Sequence, residues 1–143
     1  MAYGENTSEE IERIARGVVD CAFKVHKKTG PGLLESIYEV CLAHELTKAG
    51  FQVERQVKLP IKYDGIIFEA ALVLDLLVNK KVIVEIKSVE VMIPVFEAQI
   101  LSHLKLLDLP LGLLINFNVA MIKDGIKRII LSKRRPLQQD QDL

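Results

Sequence analysis

Asp75, Glu85 and Lys87 are the three charges in the stretch ALVLDLLVNKKVIVEIKS, residues 71–88, whose other residues follow the pattern of a buried sheet. Side chains alternate between the faces of a strand, so Ile83, Glu85 and Lys87 share one face, and Asp75 shares one with Val73 and Leu77. A two-residue loop at Asn79 and Lys80 would pair Asp75 with Val84 and leave the two acids on opposite faces. A three-residue loop ending at Lys81 would pair Val78 with Val82 and set Asp75 opposite Glu85, with their Cβ atoms about 5 Å apart. Two carboxylates facing each other in an apolar sheet repel, and each is costly to desolvate. A divalent cation would offset them, because paired carboxylates with backbone carbonyls make the hard oxygen site that Mg²⁺ or Mn²⁺ prefers. The Lys87 ammonium would offset one of them in a plain internal salt bridge, and these three residues alone leave both solutions open.

Further residues bear on that choice. Glu35 falls in the first turn of a helix that begins in GLLESIY, where an acid also complements the helix dipole. Gln99 lies in a later helix with His103 one turn on, among Val95, Phe96, Ile100 and Leu104, where a boundary residue would equally fit. Taken together, the chain offers an acid on a helix, an acid on a strand, an E-x-K on the next strand and a Gln on the following helix. That ordered set is what a metal-dependent phosphodiesterase site needs.

The elements that must carry these residues follow from periodicity. Ile11, Ile14, Ala15, Val18, Val19, Ala22 and Val25 have helical spacing from Ser8 to about Lys28, with Thr7 and Glu10 as a capping box. TGPG breaks the chain, and a second helix is expected over about 33–49 with Gly50 as its stop. Strands are expected near 51–59, 66–78 and 82–88, separated by PIKYDG and NKK. Pro94 opens a third helix to about Leu107, followed by a fully buried strand, LGLLINF, and a half-exposed one, GIKRIIL. Short links make the first three strands an antiparallel meander, and the third helix returns the next strand parallel by a right-handed crossover. The expectation is an α/β fold, a mixed sheet with helices packed on it.

Composition bounds the rest. A chain of 143 residues, half of them hydrophobic, is expected to form a single domain, with the tail PLQQDQDL (136–143) flexible. No apolar run approaches the roughly 20 residues of a membrane span, and the acidic start is unlike a signal peptide, so a cytoplasmic protein is expected. Cys21 and Cys41 read as packed, reduced thiols. Nineteen basic residues balance nineteen acidic ones, so attraction to nucleic acid has to come from a local patch. The candidate is KDGIKRIILSKRRP, where Lys123, Lys127, Arg128, Lys133, Arg134 and Arg135 face one acid, Asp124.

Gly32, Glu35 and Tyr38 in GLLESIY fit a G-x-x-E-x-x-Y signature, and Asp75 followed by EIK at 85–87 resembles the core motif of the PD-(D/E)XK nuclease superfamily. The chain thus resembles the GxxExxY proteins of that superfamily over about residues 8–131. The resemblance implies a restriction-endonuclease-like αβββαβ core with an extra N-terminal helix and an extra C-terminal strand. It also implies a metal-dependent nuclease acting on DNA. Asp75 and Glu85 would ligate Mg²⁺ or Mn²⁺ with help from the Ile86 carbonyl, and Lys87 would orient the attacking water. Glu35 would hold a second metal or a metal-bound water, and Gln99 would meet the metal shell or the scissile phosphate. His103 stands where related nucleases often carry Tyr and is expected to touch substrate, as are Lys127 and Arg128. Leu74 replaces the proline of the motif, and Tyr38 is expected to pack rather than react. A homodimer is expected, since small, half-apolar domains often cover an apolar face in a two-fold interface. The alternatives are a catalytically silent nucleic-acid-binding or protein-interaction module and, third, an enzyme acting on another phosphoester.

Overall fold

A computed structural model describes residues 7–132. Helix α1, Glu9–Thr29, starts on Ser8, whose hydroxyl accepts from the Ile11 N–H at 3.2 Å, one residue later than the capping box expected on Thr7. Acids Glu9, Glu10 and Glu12 occupy its first turn and His26, Lys27 and Lys28 its last, which complements the helix dipole. Helix α2, Glu35–Lys48, packs against it, and Gly50, with φ 95°, follows as the expected stop.

Five strands follow the order of the chain across one mixed sheet: β1 Val53–Tyr63, β2 Ile66–Val78, β3 Val82–Lys87, β4 Leu111–Asn116 and β5 Ile126–Ile130. All neighbours are antiparallel except β3 and β4, which helix α3, Pro94–Leu107, joins in parallel. The expected α/β architecture is present. One side of the sheet buries Leu76, Val78, Val82, Val84 and Ile86 under α1 and α2, and the other packs Leu77, Ile83 and Leu114 under Ile100 and Leu104 of α3. Strand β4, between the layers, is buried along its whole length.

The expected break at PIKYDG does not occur. Strand β1 runs on through Tyr63, and Pro60 sits in the register shift between Leu59 and Ile61. An edge strand tolerates proline there because one of its sides needs no ladder donors. The turn is only Asp64 and Gly65, both left-handed at φ 49° and 81°, which suits a tight hairpin. NKK forms the three-residue turn: Val78 pairs with Val82, Leu77 with Ile83 and Leu76 with Val84. Continued one step, that register sets Asp75 opposite Glu85.

Tyr38 fixes the start of α2. Its ring stacks on Phe117 at 4.5 Å, and its hydroxyl donates to the Gly30 carbonyl at 2.6 Å and accepts from the Leu33 N–H at 3.1 Å. Tyr38→Phe leaves two backbone groups of this link without their partner and is expected to lower stability by about 1–3 kcal/mol. Urea unfolding measures this, and an unchanged midpoint would show that the hydroxyl does not hold the link.

Candidate active site

The β2–β3 ladder ends at Leu76 and Val84. Beyond it, side chains take over the backbone donors: Asp75 Oδ2 accepts from the Ile86 N–H at 2.8 Å, and Glu85 Oε2 accepts from the Asp75 N–H at 3.3 Å. The N–H and C=O of one strand residue point to the same side, so the Ile86 carbonyl also faces this gap. Among the described residues, Asp75 Oδ1 and Glu85 Oε1 accept no backbone hydrogen bond.

The opening extends into β1. Gln56 lies opposite Asp75 with φ 51°, and neither residue enters the β1–β2 register. Strand alternation, expected to run through Asp75, reverses here. Leu76 and Val78 face α1 and α2, whereas Leu72 and Leu74 pack on the α3 side; Val53 and Val57 divide in the same way. A left-handed non-glycine residue costs roughly 1–2 kcal/mol, and the surroundings say what holds it. The Gln56 amide donates to Glu39 Oε1 at 2.6 Å and lies 3.4 Å from Asp75 Oδ1. Glu39 is buried and also accepts from Arg55, at 3.1 Å from Nε and 3.0 Å from Nη2. Sequence reasoning missed this network. Its one visible mark is that Glu39 follows Glu35 by one helical turn, on the same face.

Glu35 itself lies at the C-terminal end of β3. It accepts from the Ser88 N–H at 3.2 Å, while the Ser88 hydroxyl donates to the Leu33 carbonyl at 2.7 Å. Asn116, paired with Lys87 across the parallel ladder, clasps the same segment. Its amide accepts from Val89 N–H at 3.1 Å and donates to the Val89 carbonyl at 3.0 Å. Gly125 has to be glycine for this clasp to fit, since a Cβ there would stand 2.0 Å from the Asn116 carbonyl oxygen.

Lys87 reaches over the Phe96 ring, its Nζ 4.3 Å from the centroid, in a cation–π contact. Among the described residues no carboxylate is within ion-pair distance of it, so the internal salt bridge left open by the sequence is not formed. His103 is buried behind Glu85, its Nδ1 3.6 Å from Oε2 and without a hydrogen-bond partner among the described residues. The ring of His103, expected to touch substrate, is thus buried between α3 and the sheet. Gln99 is exposed on α3, one turn beyond Phe96.

Lys127 and Arg128 do not join the site. They lie on β5, two strands from β3, and both are neutralised: Lys127 by Glu97 at 2.6 Å, Arg128 by both oxygens of Glu12 at 2.8 Å. Pattern cannot show acids brought in from other elements. Lys133, Arg134, Arg135 and the tail lie outside the described residues.

Burial, chiefly, and the Glu85 charge push the Asp75 carboxyl up to about 6, with Glu39 adding to the shift; the Ile86 N–H and Lys87 act against it. This is a site with surplus negative charge. Two carboxylates and a carbonyl form an all-oxygen donor set, which fits a hard divalent cation. Among the described residues no three His, Cys, Asp or Glu side chains form a cage, so the remaining ligands would be the Ile86 carbonyl and water, as Mg²⁺ favours.

The family model of the PD-(D/E)XK nuclease superfamily matches residues 12–129. Neither the curated proteins nor the solved structures gave a significant match.

The raised Asp75 pKa fixes the sign of a pH effect. A carboxyl that holds its proton more tightly when folded favours the fold at low pH and withdraws that support as pH rises through about 6. Asp75→Asn should therefore be the more stable protein at pH 7, by about 1–2 kcal/mol after allowing for solvent screening. The advantage should shrink steadily as pH falls from 6 to 4. Urea melts across that range test it, and a variant that is less stable at pH 7 would refute the strained carboxylate.

Proposed function

The chain belongs to the PD-(D/E)XK nuclease superfamily, and from that premise we propose that it hydrolyses DNA phosphodiester bonds with Mg²⁺ or Mn²⁺ held by Asp75, Glu85 and the Ile86 carbonyl. The observation that carries this reading is the opened ladder, which turns two carboxylates and a carbonyl into one gap beside an unpaired lysine. A bound divalent cation supplies a water of lowered pKa and neutralises charge on the phosphate.

The chain's own residues do the rest. Gln56 holds Asp75 from the β1 side, and Glu39 occupies Arg55 so that no guanidinium neutralises Asp75. His103 backs Glu85 and limits its rotation. Lys87, kept aside by Phe96, brings a cation to the charge that develops on the phosphate, in a site partly closed to water. Gln99, exposed one turn away, meets the phosphate from α3, and Glu35 at Ser88 stations a water or second ion at the strand end.

Membership of the GxxExxY proteins is supported by the structural tie between the motif's residues: Gly32 takes φ 98°, and Tyr38 anchors the loop that presents Glu35. The β1–β2 hairpin, with Tyr63, Ile66, Ile67 and Phe68 exposed, is the face we assign to a homodimer. Among the described residues no helix is long and apolar enough to cross a membrane. The free thiols Cys21 and Cys41 support the one-domain protein of the cytoplasm that we propose.

Plasmid or branched DNA incubated with Mn²⁺ should be cut by the wild type, with EDTA abolishing cutting. Asp75→Ala and Lys87→Ala should lose at least about 100-fold in rate. Equal cleavage by the variants would place the activity elsewhere, and DNA binding without any cleavage would favour the silent module. Mn²⁺ should also raise the melting temperature of the wild type and leave that of Asp75→Ala unchanged, a readout independent of turnover.

A further inference from the structure

Outside the site, cations gather on one surface. The C-terminal half of α1 presents Lys24, Lys27 and Lys28, and the 3-10 turn Ile122–Gly125 adds Lys123, all of them exposed. Lys24, Lys27 and Lys123 surround an open cleft of about 410 Å³ that also displays Phe23 and Met121, which are 45% and 56% exposed. A neighbouring cleft of about 550 Å³ shares Lys24 and Lys27, adds Lys28 and Lys48, and has Glu45 as its one acid.

Much of the remaining basic charge is occupied. Arg55 is taken by Glu39, Lys80 by Glu54, Lys81 by Glu10, Lys127 by Glu97 and Arg128 by Glu12. Lys28 and Lys48 share Glu45 in two longer ion pairs, at 3.9 Å each. Lys24, Lys27 and Lys123 close no ion pair among the described residues, although exposed Asp20 and Asp124 lie nearby in sequence. The helix dipole accounts for lysines at the end of α1, but it does not account for Lys123, which another element brings to the same cleft.

The cleft lies at the site's end of the sheet. His26, on the same turn of α1, donates from Nε2 to the Val119 carbonyl at 2.8 Å. Val119 follows by three residues Asn116, the partner of Lys87. The loop from Asn116 to Val119 thus ties the strand end that carries Lys87 to the helix that lines the cleft.

We propose that the α1–turn cleft binds the backbone of a nucleic-acid strand, with Lys24, Lys27 and Lys123 neutralising its phosphates and Phe23 stacking on a base. Charge complementarity selects the polyanion, and the exposed ring within the lysines selects an unpaired base over a duplex. The proposal rests on the nuclease reading and adds a surface that the catalytic gap does not contain.

The test uses the full chain and a fluorescent single-stranded oligonucleotide of about 20 nucleotides, with anisotropy recorded over a series of salt concentrations in Ca²⁺. The triple variant Lys24→Ala/Lys27→Ala/Lys123→Ala should bind at least about 10-fold more weakly at low salt, and its log–log salt slope should fall by about 2. Phe23→Ala should weaken single-strand binding about 5- to 100-fold and leave the slope and duplex binding unchanged. In cleavage, the triple variant should raise KM and keep kcat. Lys105→Ala, an exposed lysine of α3 outside the cleft, should match the wild type in both assays. If the wild type binds and cuts while the triple variant keeps its affinity, slope and KM, the cleft proposal falls and the catalytic reading stands. If the wild type neither binds nor cuts nucleic acid of any form, both fall. Binding to phosphatidylserine vesicles, with none to the oligonucleotide, would assign the lysines to a lipid surface and overturn the proposal.

Discussion

Asp75 and Glu85 take hydrogen bonds from backbone N–H groups where the regular β2–β3 ladder stops, and the geometry of the site depends on that exchange. Carbonyls would satisfy those donors in an unbroken sheet. With carboxylates in their place, the strands stay joined, one oxygen of each acid is released from the backbone, and the Ile86 carbonyl turns into the gap. The arrangement concentrates negative charge where water is partly excluded, which is why the Asp75 carboxyl sits near 6 and not near its ordinary value of 3.8.

The neighbours keep that charge from being cancelled. Arg55 lies one residue from Gln56 and is the obvious cation to pair with Asp75, but the buried Glu39 holds it in an ion pair. What reaches Asp75 is the neutral amide of Gln56, itself fixed by the same Glu39. Lys87 is likewise held over Phe96 and away from the acids. A fold in which either cation closed on Asp75 would be quieter electrostatically and would have little use for a metal ion. The buried Glu39 is therefore best understood as occupying the wrong cation, and the left-handed Gln56 as the backbone strain that arrangement requires.

Much of this was legible in the sequence, and the failures share a cause. Period alone placed three helices and the mixed sheet, because each element buries a continuous apolar stripe. The alternation of VIVEIK against ALVLDLLV narrowed the turn to two lengths with opposite consequences for Asp75 and Glu85, and the pairing of Val78 with Val82 decides for three residues. What pattern could not show is the partner that a distant element brings to a residue. Lys127 and Arg128 looked free because Glu97 and Glu12 are far away in the chain. His103 read as sharing a helix face with Gln99, and only the packing of α3 on β3 shows that it is buried against Glu85. Pro60 read as a break because the pattern did not show that β1 is an edge. Nothing about a glutamine announces that it will adopt φ 51°, so the reversal at Gln56 and Asp75 had no local mark at all.

The site's position at the ends of strands follows from the same constraint. A gap in the middle of a ladder would be sealed by both helical layers, and one at a free edge would lack support on one side. Here β2 and β3 are locked behind the gap by Leu76, Leu77 and Val78, while in front the chain is gripped from both layers. Asn116 binds Val89 on the way to α3, and Glu35 and Leu33 bind Ser88 from the start of α2. Tyr38 and Gly125 secure those two grips by a stacked ring and a missing side chain. The acids thus stand on rigid backbone yet open to solvent at the tip. That combination lets a polyanion approach carboxylates that would otherwise repel it, provided that cations flank the approach, and the exposed lysines of α1 stand at this end of the sheet.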